Sequence, residues 1–239
     1  MSTRSGTAKA EPFEPAAAAV FPAATDIPHP RFARFFDRVS RALDERGQAE
    51  HRAVLLAGLR GRVVEVGAGN GLNFPHYPAT VTEVVAVEPE PYLRARAVEA
   101  AAHAPVPVSV VAGCGEALPL PDDSVDAGVA SLVLCSVGDQ GRALAELRRV
   151  IRPGGDLRYY EHVVSSRPLA ARAQRVFDLV WPRIAGGCHA SRDTRAAIER
   201  AGFVIERQDA FSFKPLPLSL PTAPHILGRA RNPNGEHGR

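Results

Sequence analysis

A run of β-forming residues, Arg62-Val63-Val64-Glu65-Val66, breaks at once into Gly67-Ala68-Gly69-Asn70-Gly71. Three glycines spaced two apart cost chain entropy, so a bare backbone must be needed there. A glycine turn after the first strand of an open α/β sheet lets the backbone approach a ligand at the strand ends. A dinucleotide fingerprint would place its third glycine where Leu72 stands; here it comes one position early, at Gly71. Pro75 and Pro78 also cut short the helix whose N-terminal N–H groups would hold a pyrophosphate. The turn therefore suits a ligand other than NAD.

The rest of the chain supplies the sheet. Helical spacing of Phe32, Phe35, Phe36, Val39 and Leu43, then Val54, Leu55 and Leu59, predicts two helices before the first strand. Further strands are expected at 83–88, 106–112, 125–134 and 156–163, with helices at 91–103 and 142–150 between them. This alternation argues for βαβ units and a mainly parallel sheet. Helices at 169–183 and 191–201 follow, then two strands, 203–211 and 225–231, joined by KPLPLSLPTAP and able to pair antiparallel. One domain over residues 29–239 is the economical organisation, with residues 29–60 as N-terminal helices. The Ala/Pro-rich stretch 1–28 lacks apolar periodicity and reads as a disordered tail; AAAAV is too short for a membrane span.

Composition narrows the partners. A net charge of +3 carried by scattered arginines, with 6% aromatic residues, offers no basic stripe or stacking platform for nucleic acid. Cys114, Cys135 and Cys188 are far apart and form no CxxC pair, so their spacing indicates neither zinc nor a disulfide framework. Asp122-Asp123 reads as a turn before the fourth strand, and no metal is assigned. A reduced, cytoplasmic setting is the default expectation.

Glu65-x-Gly67-x-Gly69-x-Gly71 resembles the first motif of class I S-adenosylmethionine (SAM) methyltransferases. The resemblance continues through Glu88 at the end of VVAVEP, Gly113-Cys114-Gly115-Glu116-Ala117-Leu118-Pro119, and RRVIRPGGDL. It implies a Rossmann-like fold: a mainly parallel seven-stranded sheet with helices on both faces and an antiparallel last strand. It also implies SAM as cofactor and S-adenosylhomocysteine as product. The matching positions for cofactor binding are Glu65, Gly67, Ala68, Gly69, Gly71 and Asn73 at the turn, with Glu88 and Pro89 beside the ribose. Cys114, Gly115, Glu116 and Ala117 fall on the adenine side, with Ser131, Leu132 and Val133 after the fourth strand. Cys114 replaces the family's usual acid, which removes that side-chain bond to the adenine amine.

VLCSV (133–137), YYEHV (159–163), Gln174, Phe177-Asp178, Trp181, GGCHASRDT (186–194), IERAGF and PHILGRA resemble the thiol S-methyltransferases and their bacterial relatives. The match spans about residues 31–231 and implies methylation of a small, fairly apolar thiol. The chain lacks the hydrophobic N-terminal anchor of the animal proteins, so no stable membrane anchor is expected, and it carries Phe36 where bacterial relatives tend to have Tyr. Methyl transfer from a sulfonium is an in-line displacement, so the protein must chiefly align the nucleophile and exclude water. Glu161 and His162 at the end of strand five, and His189 and Arg192 in a substrate-covering lid at 164–195, are the catalytic candidates. His162 reads as a base, a polar wall or a strand cap. Asp193 or Ser191 could simply cap the next helix. Cys135 and Cys188 read as buried packing residues. Two other functions fit the same motifs: methylation of oxygen, nitrogen or carbon on a lipid, quinone or secondary metabolite, and a non-catalytic SAM-fold binding protein.

Overall fold

The computed structural model describes residues 26–215 and 220–233. Most of the expected tail, residues 1–25, and part of the proline-rich loop, 216–219, lie outside the described residues. Helix α1 (Pro30–Leu43) continues through a π-helical step at Asp44–Gln48 into α2 (Ala49–Leu56). Gly47, at φ 115°, supplies the left-handed residue that turns α1 into α2. Strand β1 (Gly61–Val66) opens the sheet, followed by β2 (Val81–Val87), α3 (Pro91–Ala101), β3 (Val108–Val111), β4 (Val125–Ser131), α4 (Gln140–Val150) and β5 (Ile151–His162). Next come α5 (Pro168–Phe177), α6 (Trp181–Ile184), α7 (Thr194–Arg200), β6 (Val204–Ser212) and β7 (Pro224–Arg231).

The seven strands form one sheet in the order β3-β2-β1-β4-β5-β7-β6. Pairings from β3 to β5 are parallel, and β7 runs antiparallel to both β5 and β6. Strands β1, β2, β4 and β5 carry runs of buried residues on both faces, which explains their continuous apolar stretches, whereas the edge strand β3 is only partly buried. Side chains alternate between two cores. Val64, Val66, Leu157 and Tyr159 pack with Leu144, Leu147 and Ile198 on one face. Val63, Val129 and Tyr160 pack with Leu55, Leu56 and Ala97 on the other.

Several expected boundaries shift for local reasons. Strand β4 ends at Ser131 and not at residue 134, because Leu132 adopts a left-handed φ of 57°. Strand β5 starts at Ile151, with Pro153-Gly154-Gly155 looping out between its pairings to Val125 and Ala127. The predicted helix 169–183 is two helices, with Pro182 within the second. Phe35 and Val54, counted among the apolar spacings of the first helices, are largely exposed. Among the described residues, no helix is long and apolar enough to cross a membrane.

Candidate functional site

The carboxyl ends of β1, β2, β4 and β5 lie along one edge of the sheet, where open α/β sheets bind ligands. Gly67, Gly69 and Gly71 all have positive φ, between 57° and 79°. A Cβ on Gly67 would stand 2.3 Å from Val133 Cγ2, so the turn and the loop after β4 can be this close only through glycine. At the end of β2, Glu88 accepts hydrogen bonds from the N–H of Gly69 (2.7 Å) and of Glu90 (2.9 Å). Burial pushes its carboxyl up, and these two N–H groups pull it back. Gly115 packs its Cα edge against Val66, and Cys114 bridges to Ala117, which closes the adenine-side loop on itself. Glu116 accepts a bond from the N–H of Asp139 ahead of α4.

Beneath the turn, Glu65 is fully buried and accepts from Asn73 Nδ2 (2.8 Å) and Tyr77 OH (2.7 Å). Burial raises its carboxyl to about 7, against the pull of those two donors. Arg52 of α2 donates to Asn73 Oδ1 (2.9 Å) and Ser131 Oγ (3.3 Å) and pairs with Asp44 (2.8 Å). Sequence reasoning did not select Arg52. A cation three and four residues before the buried Leu55 and Leu56, hence on the inward face of α2, was the available signal. From above, α1 is pinned to the turn by Asn70, whose Nδ2 donates to Asp37 Oδ1 at 2.8 Å. Phe36 lies 3.6 Å from where a Gly69 Cβ would be, so this residue meets the turn through its ring.

The loop after β4 is held by residues of β5 and of the segment between α6 and α7. Glu161 of β5, fully buried, accepts from the N–H groups of Val133 (3.0 Å), Leu134 (2.8 Å) and Cys135 (3.1 Å). Burial pushes this carboxyl up while the three N–H groups favour its charged form. Arg192 donates to the carbonyls of Leu134 (2.6 Å) and Val137 (2.7 Å). Glu161 and Arg192 thus both shape residues 133–137. His189 is partly exposed; its ring lies 3.7 Å from Asp178, and its backbone N–H donates to the Cys135 carbonyl (2.8 Å). Asp193 caps α7 through Ala196 N–H, whereas Ser191 bonds Asp178. Gln174 ties the covering segment down by donating to the carbonyls of Val163, Ala190 and Pro221.

His162 is brought together with Cys135 and Cys188, which the sequence spacing gave no reason to associate. Hydrogen bonding to Cys188 and burial push the Cys135 thiol up, and the same bond lowers that of Cys188. On the other side of His162 lies His225, at 4.6 Å between ring centroids, within a group of rings that includes Tyr160, Phe211, Phe213 and His51. Burial presses His225 down to about 3, so it is neutral at physiological pH.

Comparison with known proteins decides the family. A family described as a methyltransferase domain matches residues 64–159. The thiol S-methyltransferase TMT1B of Homo sapiens is 38% identical over 187 residues, covering 73% of this chain and 73% of its own length. This chain belongs to the thiol S-methyltransferase family. It is accordingly a SAM-dependent methyltransferase enzyme of class I. A SAM-dependent methyltransferase structure from Thermotoga maritima superposes with a TM-score of 0.60 at 23% identity, covering 84% of this chain and 97% of that one. The [4+2]-cyclase SpnF superposes as well, with a TM-score of 0.61 at 20% identity over 85% and 95% of the two chains. At such identities the likeness establishes the fold alone, and SpnF illustrates why fold does not dictate the reaction.

Proposed function

We propose that this methyltransferase transfers the methyl group of SAM to the sulfur of a small, fairly apolar thiol. The observation that carries the reading is the 38% identity to human TMT1B over 187 residues, a span that includes the acceptor side as well as the cofactor turn. Glu88 and Pro89 meet the ribose, and the Gly67–Gly71 turn with Ala68 lies against the amino-acid tail. Residues 114–117 flank the adenine, and Ser131–Val133 border the sulfonium. Glu65 and Asn73 support the turn from below.

Because the sulfonium is already activated, the protein's share is alignment and exclusion of water. Glu161 and Arg192 act as positioning residues, fixing the loop that faces the methyl group. His162 forms the polar end of the acceptor place, and His189 borders it on the covering segment, residues 164–195. Residues 29–233 act as one catalytic unit, with α1 closing over the turn. The three free thiols suit a reducing, cytoplasmic setting. Incubation with labelled SAM and a panel of alkyl thiols, phenols and amines tests the reading. Methylated thiols are expected; methylated phenols or amines with untouched thiols would overturn it.

A further inference from the structure

Cys135 follows β4, His162 ends β5, and Cys188 lies in the segment between α6 and α7. The fold nevertheless gathers their ligating atoms into one small triangle. Cys135 Sγ is 3.4 Å from His162 Nδ1, Cys188 Sγ is 3.6 Å from the same nitrogen, and the two sulfurs are 3.8 Å apart. A tetrahedral zinc ion with bonds of about 2.3 Å to sulfur and about 2.0–2.1 Å to nitrogen has ligand-to-ligand edges of about 3.8 Å (S to S) and about 3.5–3.6 Å (S to N). All three observed edges fall within about 0.2 Å of these values. A disulfide would need the sulfurs at about 2.05 Å, so their spacing suits a shared ion better than each other.

The backbone holds this triangle in place. The Cys135 N–H donates to Glu161, and the Cys135 carbonyl accepts from the N–H of His189 (2.8 Å), the residue after Cys188. The two cysteine-bearing loops are therefore hydrogen-bonded directly to each other. Gly187, at φ 85°, permits the approach, since a Cβ there would stand 2.6 Å from the Ser136 carbonyl oxygen. Support of this kind, outside the ligands themselves, is what orients metal-binding side chains. Both cysteines are buried, and His162 keeps partial exposure.

We propose that Cys135, His162 and Cys188 form a zinc site with three protein ligands and a fourth position open to a thiol. Three ligands and an open position are the pattern of reactive zinc sites, in contrast to the closed four-ligand structural ones. Both cysteines bind as thiolates and release their protons when the metal enters. The role of the fourth position rests on the proposed thiol methylation. An incoming thiol displaces water from zinc, loses its proton to solvent and remains bound as thiolate. Its sulfur lone pair then forms the new S–CH3 bond as the methyl–sulfonium bond of SAM breaks. The neutral thioether and S-adenosylhomocysteine are left, and the thioether, a weaker ligand, departs.

Metal uptake is read on the reduced full-length protein, stripped of metal and titrated with zinc against a chromophoric chelator. One zinc per chain is expected, and X-ray absorption of the loaded protein should count two sulfur neighbours around it. With cobalt in place of zinc, a thiolate-to-metal charge-transfer band and intense tetrahedral bands are expected, the former about halved in Cys135→Ser or Cys188→Ser. Adding an alkyl thiol without SAM should shift the cobalt bands. Absence of stoichiometric uptake, fewer than two sulfur neighbours, or a 135–188 disulfide whose reduction restores no uptake would overturn the site. Cobalt bands that ignore added thiol would overturn the open fourth position. The zinc and sulfur counts come from the wild-type protein, so they hold even if a serine variant fails to fold. Thiol methylation is assayed separately: zinc binding without thiol methylation removes the acceptor reading and leaves the metal site standing.

Discussion

The backbone N–H of Gly69 donates to the Glu88 carboxylate at 2.7 Å, tying the glycine turn after β1 to the acid that ends β2. The ends of β1 and β2 are therefore tied together by this one bond. Each Glu88 oxygen receives one backbone N–H and retains a lone pair for a hydroxyl. Glu88→Ala should weaken S-adenosylhomocysteine binding by ~1–3 kcal/mol through lost charged hydrogen bonds. Calorimetry reads this directly, and an unchanged affinity would remove Glu88 from the ribose site.

Gly67 and Val133 make the second coupling. Gly67→Ala adds a left-handed penalty of about 1–2 kcal/mol and a steric overlap costing about 1–3 kcal/mol, and cofactor affinity should fall with stability. Val133→Ala removes the 2.3 Å contact with Cγ2 but keeps a Cβ at 2.9 Å, so the double variant should recover only part of the loss and keep the backbone penalty. A double-mutant cycle measures the coupling, and strict additivity would mean that the two residues do not press on each other.

Loop 133–137 depends on Glu161 and Arg192. Arg192→Ala leaves the Val137 carbonyl without this partner and the Leu134 carbonyl with Gln140 Nε2 in place of two donors, and should cost about 1–3 kcal/mol in urea unfolding. Arg192→Lys should recover little, because an ammonium lacks the fork that reaches both carbonyls. In Glu161→Gln, an amide group replaces one acceptor oxygen, so at least one N–H loses its partner; amide exchange at 133–135 should quicken. Full stability in the lysine variant, or unchanged exchange in the glutamine variant, would count against this architecture.

Glu65 gives a pH dependence. Its folded value of about 7 lies above the usual carboxyl value of 4.5, so the fold favours the neutral form. The associated stability is present below pH 4.5 and is lost as pH rises through about 7, by up to about 3 kcal/mol. Relative to wild type, Glu65→Gln should gain stability between pH 5 and 8. Urea midpoints for both proteins across that range check the sign; a constant difference would place the Glu65 titration elsewhere.

The succession of strands along the chain was legible because the parallel strands advertise themselves as apolar runs and the turns between them as glycine and proline. The motif glycines Gly67 and Gly69 and the acid Glu88 do come together at the ends of β1 and β2. The end of β4 was not legible, because Leu132 takes a left-handed conformation that its side chain does not announce. Glu161 stood out as a charge in an apolar strand, and Arg192 as a cation in the segment expected to cover the site. Their partners, however, are backbone N–H and carbonyl groups, which every residue carries and no sequence pattern marks.

By itself, the sequence determined the alternation of strand and helix and the bare-backbone turn after β1. These depend on local conformational preference and on periodicity, both written in neighbouring residues. Only the tertiary structure decided what surrounds the loop after β4. Cys135, His162 and Cys188 become neighbours when β4, β5 and the segment between α6 and α7 converge, and Arg52 reaches Asn73 and Ser131 only when α2 packs on β5. Contacts between atoms so far apart along the chain follow from how whole elements pack, and no local spacing encodes them.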